Sequence, residues 1–155
     1  MSRAFVKESD GSEADQDLPE LRISPHRNLV SADGLKQIEA EVRRLGEELA
    51  QARAREDRSA IAQHSRDLRY WSARRATAEV VAPASGSTTV RFGSRVTLLG
   101  EDGASVTYRI VGEDESAPAA GRISYVSPLA GELLGLGVGD SVRLVSGQAE
   151  ITAIN

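Results

Sequence analysis

The sequence predicts an α+β protein in which an antiparallel helical hairpin precedes a small antiparallel β domain. Two patterns lead to this prediction. Between residues 31 and 81, apolar residues recur at alternating spacings of three and four, whereas in residues 91–155 they alternate with polar ones. Repeats of about 3.6 and about 2 residues are those of helices and strands, respectively. A run of small residues, 82–90, separates the two patterns and is typical of a linker.

The helical part is predicted to be two arms that face each other. The first arm begins at Ser31, a residue type that caps helices, and the second runs from about Ser59 to Val81. The two seams are Leu35, Ile38, Val42, Leu45, Leu49 and Ala52, and Ile61, His64, Leu68, Trp71, Arg75 and Ala78. When the two seams are paired from the turn outward, the residue numbers of each facing pair add up to 113. A constant sum is what antiparallel arms require. The turn therefore falls between Glu56 and Asp57.

Residues 91–155 contain five segments with the alternation of half-buried strands. Their inward residues are Val96 and Leu98; Val106, Tyr108 and Ile110; Ile123 and Tyr125; Val142 and Leu144; Ile151 and Ile154. Asp102-Gly103 is typical of a hairpin turn, and Ser127 with Pro128 predicts the start of a short helix. Residues 112–121, which are acidic and contain Pro and Gly, are expected to form a loop.

These patterns divide the chain into four parts. Residues 1–30 are acidic, contain two prolines and lack periodicity, so we expect a flexible acidic N-terminal segment. The coiled-coil hairpin follows at 31–81 with its tip near 56–57, then the linker at 82–90 and the compact domain at 91–155. We expect this last domain to fold alone, because it contains its own alternating core.

Charge is segregated along the chain. The formal net charge of −4 argues against a general nucleic-acid binder. Residues 53–75, however, hold seven Arg against Glu56, Asp57 and Asp67, a net charge of +4. Four of these arginines are candidates for contact with a nucleic-acid backbone, or they solvate a coil face. They are Arg66, Arg69, Arg74 and Arg75.

Composition excludes several classes of protein. The chain has no Cys and only two His, so disulfides, thiolate or histidine-rich metal sites and cysteine nucleophiles are excluded. With no nucleophile–base constellation, we expect that the protein is not an enzyme and has no cofactor of its own. No apolar run approaches the roughly 20 residues that span a bilayer, and the N-terminus has no apolar signal core. We therefore expect a cytoplasmic protein without membrane contact.

The stretch 91–140 contains FG, VTYRIVGEDE, GRIS, SPLA and LLG followed by VGD. It resembles the C-terminal domain of the Gre-type (GreA/GreB) bacterial transcript cleavage factors. MSRAFVKE, ISPH and GLKQIEAEV in the first 42 residues also resemble GreB-like members. The resemblance implies a monomeric transcription elongation factor that acts on backtracked or paused RNA polymerase. Its coiled coil would enter the secondary channel, near the nascent RNA, and an FKBP-like C-terminal domain would dock on the channel rim.

The resemblance also implies roles for the hairpin tip. In those factors an Asp, and a Glu three residues later in a GDxSEN-type tip, help to hold a second Mg²⁺ in the polymerase active centre. Here the Asp corresponds to Asp57, whereas Glu56, Ala60 and Ile61 replace the Gly, the Glu and the Asn. Asp57 is thus the candidate ligand of a shared Mg²⁺, with Glu56 as the second tip acid. Because one carboxylate holds a cation less well than two, and each arm is about two turns shorter than the family's, or about 10 Å, we expect weak or no stimulation of cleavage.

The loop before the short helix corresponds to the family's docking loop. Ser127 and Pro128 are retained there, and we expect polymerase binding to depend on them more than on the tip acids. Capping of the short helix is their alternative role, and both roles can hold together. Three other functions remain open: a non-cleaving regulator in the secondary channel, a stand-alone coiled-coil adaptor, and an FKBP-like prolyl isomerase. The isomerase would need an aromatic-walled pocket, for which the domain offers Phe92, Tyr108 and Tyr125.

Overall fold

The computed structural model describes residues 18–155, and these form two compact units. One contains residues 18–23 and 40–73, and the other contains residues 24–39 and 74–155. These divisions differ from the sequence-based bounds. The start of the first arm and the end of the second belong to the same unit as the β domain, so residues 91–155 are packed together with further parts of the chain.

Two long helices form the predicted hairpin. Helix α1 spans Ala32–Ala54 and α2 spans Arg58–Thr77, which confirms the position of the turn. Four residues of the α1 seam are buried, namely Ile38, Leu45, Leu49 and Ala52. The seam of α2 is half-buried from Ile61 to Trp71, but its predicted member Arg75 is exposed and Arg74 is buried instead. None of the described helices is long and apolar enough to cross a membrane.

The second arm ends earlier than predicted because the chain there forms a strand. Strand β1, Leu29–Val30, pairs in parallel with β2, Glu79–Val80. The N–H groups of Glu79 and Val81 donate to the carbonyl oxygens of Asn28 and Val30, at 2.8 and 2.9 Å. Asn28 and Val30 are buried, so this end of the predicted flexible segment 1–30 is packed. Residues 1–17 of that segment lie outside the described residues.

The five predicted strands form one sheet. They are β3 (Arg95–Gly100), β4 (Ser105–Val111), β5 (Arg122–Ser124), β6 (Ser141–Leu144) and β7 (Gly147–Ile154). Their order in the sheet is β5-β4-β3-β7-β6. The α+β class is confirmed, but the sheet is mixed: β5 pairs with β4 in parallel, and the other pairs are antiparallel.

The parallel pair explains the connection that the sequence predicted as a loop. A parallel pair cannot be closed by a tight hairpin and needs a crossover. Residues 112–121 supply it with two 3₁₀ turns, Glu113–Glu115 and Pro118–Ala120. By contrast, the Asp102-Gly103 turn is confirmed, because the N–H of Gly100 donates to the carbonyl of Ala104 at 2.9 Å.

An aliphatic core lies on one face of the sheet. Its buried members are Val90, Val96, Leu98, Ile110, Ile123, Ala130, Leu133, Val142, Ala149 and Ile151. The short helix α3, Pro128–Leu133, covers this face with Ala130 and Leu133. Val90 was expected in the linker, but its N–H and carbonyl bond to Leu136 and Gly135, at 2.8 Å each. The end of the segment 82–90 is therefore part of the folded domain.

Candidate functional site: the hairpin tip and the loop before α3

The hairpin tip is a Schellman turn. The N–H of Asp57 donates to the carbonyl of Ala52 at 3.0 Å, and the N–H of Glu56 donates to that of Arg53 at 3.1 Å. In this motif the residue after the helix cap adopts a left-handed conformation, which usually calls for glycine. Glu56 occupies that position with φ +55°, the one positive φ of a non-glycine residue among residues 18–155.

Asp57 caps the second helix. Its Oδ1 accepts the N–H of Ala60 at 3.1 Å, and its carbonyl accepts the N–H of Ile61 at 2.9 Å. Asp57 is thus the N-cap of α2 and Ala60 is its third helical residue. Both tip acids are exposed. Within residues 18–155, no group of three or more His, Asp or Glu side chains is placed to hold a metal ion.

The candidate arginines of α2 do not form one free basic surface. Arg66 is half-buried and pairs with Asp67, with Nη2 and Oδ1 2.7 Å apart. Arg69 donates from Nε to Glu20 Oε1 at 3.0 Å, and this guanidinium lowers the pKa of the Glu20 carboxyl. Arg75 is exposed and has no carboxylate partner among the described residues.

Arg74 is a correction to the expected transcript contacts. Its side chain is only 2% exposed, and its Nε donates to Asp114 Oδ2 at 2.6 Å. Its Nη2 lies 3.7 Å from Glu113 Oε2, and its carbonyl accepts the Asn28 side-chain amide at 2.7 Å. Arg74 thus joins the last turn of α2 to the crossover and is unavailable at the surface.

Glu115 is a second buried charge that the sequence did not reveal. Its Oε2 accepts the N–H groups of Ser31 and Gly112, both at 3.0 Å, and the Ser31 hydroxyl donates to its Oε1. The Ser31 hydroxyl in turn accepts the N–H of Gly34 at 3.0 Å, so Ser31 is the predicted cap of α1. A carboxylate at this helix N-terminus is also favoured by the helix dipole.

Gly34 is required by this close approach. A Cβ at position 34 would lie 2.2 Å from the Glu115 carboxyl carbon, far inside van der Waals contact. Glycine at this position therefore lets the Glu115 carboxylate reach the first turn of α1.

The loop before α3 builds the start of that helix. The Ser127 hydroxyl oxygen accepts the N–H of Ala130 at 3.3 Å, and Pro128 is the first helical residue. This confirms the capping role of both residues. Upstream, the Tyr125 hydroxyl donates to the carbonyl of Arg27. The pKa of Tyr125 is raised, mainly by burial of the hydroxyl and secondly by the nearby Glu113 carboxylate.

Pro128 borders a groove of about 480 Å³ on the surface of the β domain. The lining residues are Tyr108, Pro128, Leu129, Glu132, Arg143, Leu144, Val145 and Ser146. Val145, in the turn between β6 and β7, is fully exposed to solvent. An exposed apolar side chain beside a proline and a leucine is suited to contact another protein.

Two matches to known proteins decide the family of the chain. A family model described as transcription elongation factor, GreA/GreB, C-term, matches residues 85–155. A transcription elongation factor GreA of Acidiphilium cryptum (strain JF-5) is 37% identical over 135 residues, which cover 74% of this chain and 86% of that protein. The chain belongs to the GreA/GreB family of transcription elongation factors. This confirms the resemblance found in the sequence.

Further Gre relatives and solved structures are similar to the chain. Transcription elongation factor GreA of Methylobacterium nodulans is 40% identical over 123 residues, covering 77% of each chain. GreA factor homolog 1 of Thermus thermophilus aligns with a TM-score of 0.41 at 20% identity, covering 84% of this chain and 99% of that one. GreA/GreB from Nitrosomonas europaea aligns with the same score and identity, covering 84% and 98%.

The backbone of the tip favours residues other than those the chain has there. Glu56 occupies the left-handed position of the Schellman turn, which glycine adopts most easily. Ala60 is at the third position of α2, where a Glu would form a capping box with an N-cap residue. The tip therefore has no glycine at the left-handed position and no acid in the first turn of α2.

We expect Glu56→Gly to stabilise the hairpin by about 0.5–1 kcal/mol, because it relieves the left-handed backbone of a non-glycine residue. The free energy of unfolding in urea would measure the gain. Arg55→Gly is the matched control, because Arg55 precedes Glu56 and has no positive φ, and it should not stabilise the protein. A Glu56→Gly variant less stable than the wild type would contradict this account of the turn.

Proposed function

We propose that this Gre factor binds RNA polymerase through the groove beside Pro128 and places its hairpin tip in the secondary channel. Family membership, with the chain covering 86% of a GreA relative, is the observation that carries the proposal. The exposed Val145 in the groove gives it a physical contact point. In this proposal the protein is a monomer in the cell interior, catalyses no reaction of its own and modulates elongation.

At the tip, the described side chains alone do not fit a resident metal ion. Asp57 uses one carboxylate oxygen to cap α2, and no group of three potential ligands exists within residues 18–155. We therefore propose that Asp57 contributes to a Mg²⁺ site only jointly with polymerase ligands. With Ala60 in place of the second acid, the protein acts mainly as an occupant of the channel that stimulates cleavage weakly or not at all.

The other functions considered above gain less support. Phe92 and Tyr125 pack edge to face, with ring centroids 5.7 Å apart. Two of the three aromatic rings of the β domain therefore contact each other, which leaves little for the aromatic-walled pocket of a prolyl isomerase. A stand-alone coiled-coil adaptor would show no affinity for core polymerase, and the binding measurement below tests that directly.

We expect the groove to control polymerase affinity. Val145→Asp should weaken binding to core RNA polymerase by about tenfold or more, since it places an unpaired charge at an apolar contact. Val138→Asp is the matched control, because Val138 is 63% exposed and does not line the groove. Biolayer interferometry with immobilised polymerase would measure both.

The loop and the tip can be compared in the same assay. Replacing both Ser127 and Pro128 by Ala should weaken binding strongly, whereas Glu56→Ala with Asp57→Ala should leave the affinity nearly unchanged. Because loss of the Ser127 cap costs about 1 kcal/mol of stability, thermal unfolding of each variant is recorded alongside. Equal losses from the loop pair and the tip pair, or equal losses at Val145 and Val138, would contradict docking through the groove.

We expect Ala60→Glu to increase transcript cleavage in a stalled, backtracked complex. The change places a second carboxylate in the first turn of α2, one turn from Asp57, and two acids hold a divalent cation better than one. Gln63→Glu is the control, since it adds the same charge to an exposed site of the same helix. The amount of shortened transcript on a denaturing gel measures cleavage.

The outcome also separates two causes of weak cleavage. If Ala60→Glu stays inactive while binding persists, the reach of the shorter arms is limiting. Wild-type cleavage at a level typical of the family, lost in Asp57→Ala, would show that Glu56 replaces the missing acid and would contradict the channel-occupant proposal.

A further inference from the structure

Three arginines lie side by side across the sheet. In the strand register Arg95 is opposite Arg109 on β3 and β4, and Arg109 is beside Arg122 on β4 and β5. Cross-strand neighbours share a face of the sheet, and like charges placed directly opposite one another repel. Repulsion between these neighbouring arginines therefore destabilises the sheet, and a bound anion would remove the repulsion.

The arginines line a concave site. Together with Thr107, Ala120 and Gly121 they surround a cavity of about 530 Å³. Gly121 has φ +74°, and a Cβ there would lie 2.8 Å from the carbonyl oxygen of Thr107. Only glycine lets the crossover turn approach β4 this closely, so the wall of the cavity is a built feature of the backbone.

No carboxylate of the described chain neutralises this cluster. Other arginines have an Asp or Glu oxygen within 4.0 Å, namely Arg27, Arg44, Arg66, Arg69 and Arg74. Within residues 18–155, no such pair involves Arg95, Arg109 or Arg122. Arg109 and Arg122 are half-buried, and the buried Nε of Arg122 has no hydrogen-bond partner. A buried donor without an acceptor is unfavourable, so the described residues leave this guanidinium incompletely paired.

We propose that this arginine cluster binds a polyphosphate group, either inorganic or at the end of a nucleotide. The guanidinium fork matches phosphate oxygens with two parallel hydrogen bonds. Three arginines on adjacent strands span about 10 Å, and a polyphosphate concentrates several negative charges within such a length. An extended acidic peptide has same-side carboxylates about 6.8 Å apart and supplies fewer charges.

The lining also indicates which part of a ligand is recognised. It contains no aromatic side chain, so a nucleobase has no ring to stack on there. The cavity size lies in the usual range for small-molecule sites. The cluster is thus suited to the phosphate groups themselves, and this binding is independent of whether the protein binds polymerase.

Isothermal titration calorimetry of the full chain, in metal-free buffer at constant ionic strength, tests the proposal. Pyrophosphate, tripolyphosphate and ATP should bind, whereas AMP and sulfate should bind at least about tenfold more weakly, because each offers a single anionic group. Tighter binding of tripolyphosphate than of ATP would indicate the inorganic source, and tighter binding of ATP the nucleotide. Absence of binding by all three would overturn the proposal.

Variants tie the binding to the cluster. Arg109→Gln and Arg122→Gln should each weaken tripolyphosphate binding by about tenfold to a hundredfold, from the loss of a charged hydrogen-bond pair. Arg122→Lys keeps the charge but loses the fork of the guanidinium, so its affinity for tripolyphosphate should lie between those of the wild type and Arg122→Gln. Arg143→Gln, on β6 and outside the cavity lining, should bind as the wild type does.

Two results would overturn the assignment to this cluster and this ligand. One is an equal loss in Arg143→Gln, which would show a diffuse charge effect. The other is tighter binding of a single-stranded RNA oligonucleotide than of tripolyphosphate, which would identify a nucleic-acid surface. Since removal of one like charge relieves repulsion, each Gln variant should unfold at or above the wild-type temperature, so loss of binding cannot be ascribed to unfolding.

Discussion

Replacing Arg74 by Ala should destabilise the protein by about 3–5 kcal/mol, the typical cost of breaking a buried ion pair by removing one partner. The Arg74 side chain is 2% exposed and its bond to Asp114 is 2.6 Å long. Without the guanidinium, the nearly buried Asp114 carboxylate loses its counter-charge, and a cavity remains where the long side chain packed.

The neighbouring arginine supplies the control for this prediction. Arg75 is on the same turn of α2 but is exposed, so Arg75→Ala should change the free energy of unfolding by no more than about 0.5 kcal/mol. Urea denaturation followed by circular dichroism would measure both variants. Similar losses in the two would mean that helix propensity, and not the buried pair, dominates at the end of α2.

Glu115→Ala should cost about 3 kcal/mol or more, because it leaves the buried N–H groups of Ser31 and Gly112 without an acceptor, at about 1–3 kcal/mol each. The exchange of these two amide protons with deuterium should also accelerate, since local opening exposes them. Glu115→Gln retains one acceptor oxygen and should lose less.

An exposed glutamate on α1 is the matched control. Glu39→Ala removes the same side chain from a solvent-facing site and should stay within about 0.5 kcal/mol of the wild type. Unchanged exchange at Ser31 and Gly112 in Glu115→Ala would contradict the role of this carboxylate in holding the start of α1.

The elements predicted correctly are those that leave a local pattern. The α1 seam, the turn at Glu56 and Asp57, the five alternating segments and the cap at Ser127 each depend on residues close together in the chain. At the tip, Glu56 and Asp57 could be placed in the turn from the matching of the two seams. Only the backbone geometry showed that Glu56 takes the left-handed position and that Asp57 caps α2.

Other features were missed because their partners are far apart along the chain. The two-residue pair of β1 and β2 is too short to show any period. The helical period placed Arg75 in the seam of α2, but Arg74 is the buried one of the two, because its carboxylate partners lie about 40 residues further along the chain. The groove residue Val145 and the arginine cluster likewise follow from strand register, and alternation along one strand does not reveal which strands are neighbours.

The sequence by itself determined the class of the fold, the family and the order of the elements, because hydrophobic periodicity and the Gre motifs involve residues that are close together in the chain. Only the tertiary structure showed that the start of α1 and the last turn of α2 both bond to the crossover 112–121. Its two key contacts join Ser31 to Glu115 and Arg74 to Asp114, across 84 and 40 positions. Buried charges must find partners, but which partner each one finds depends on packing that brings distant segments together.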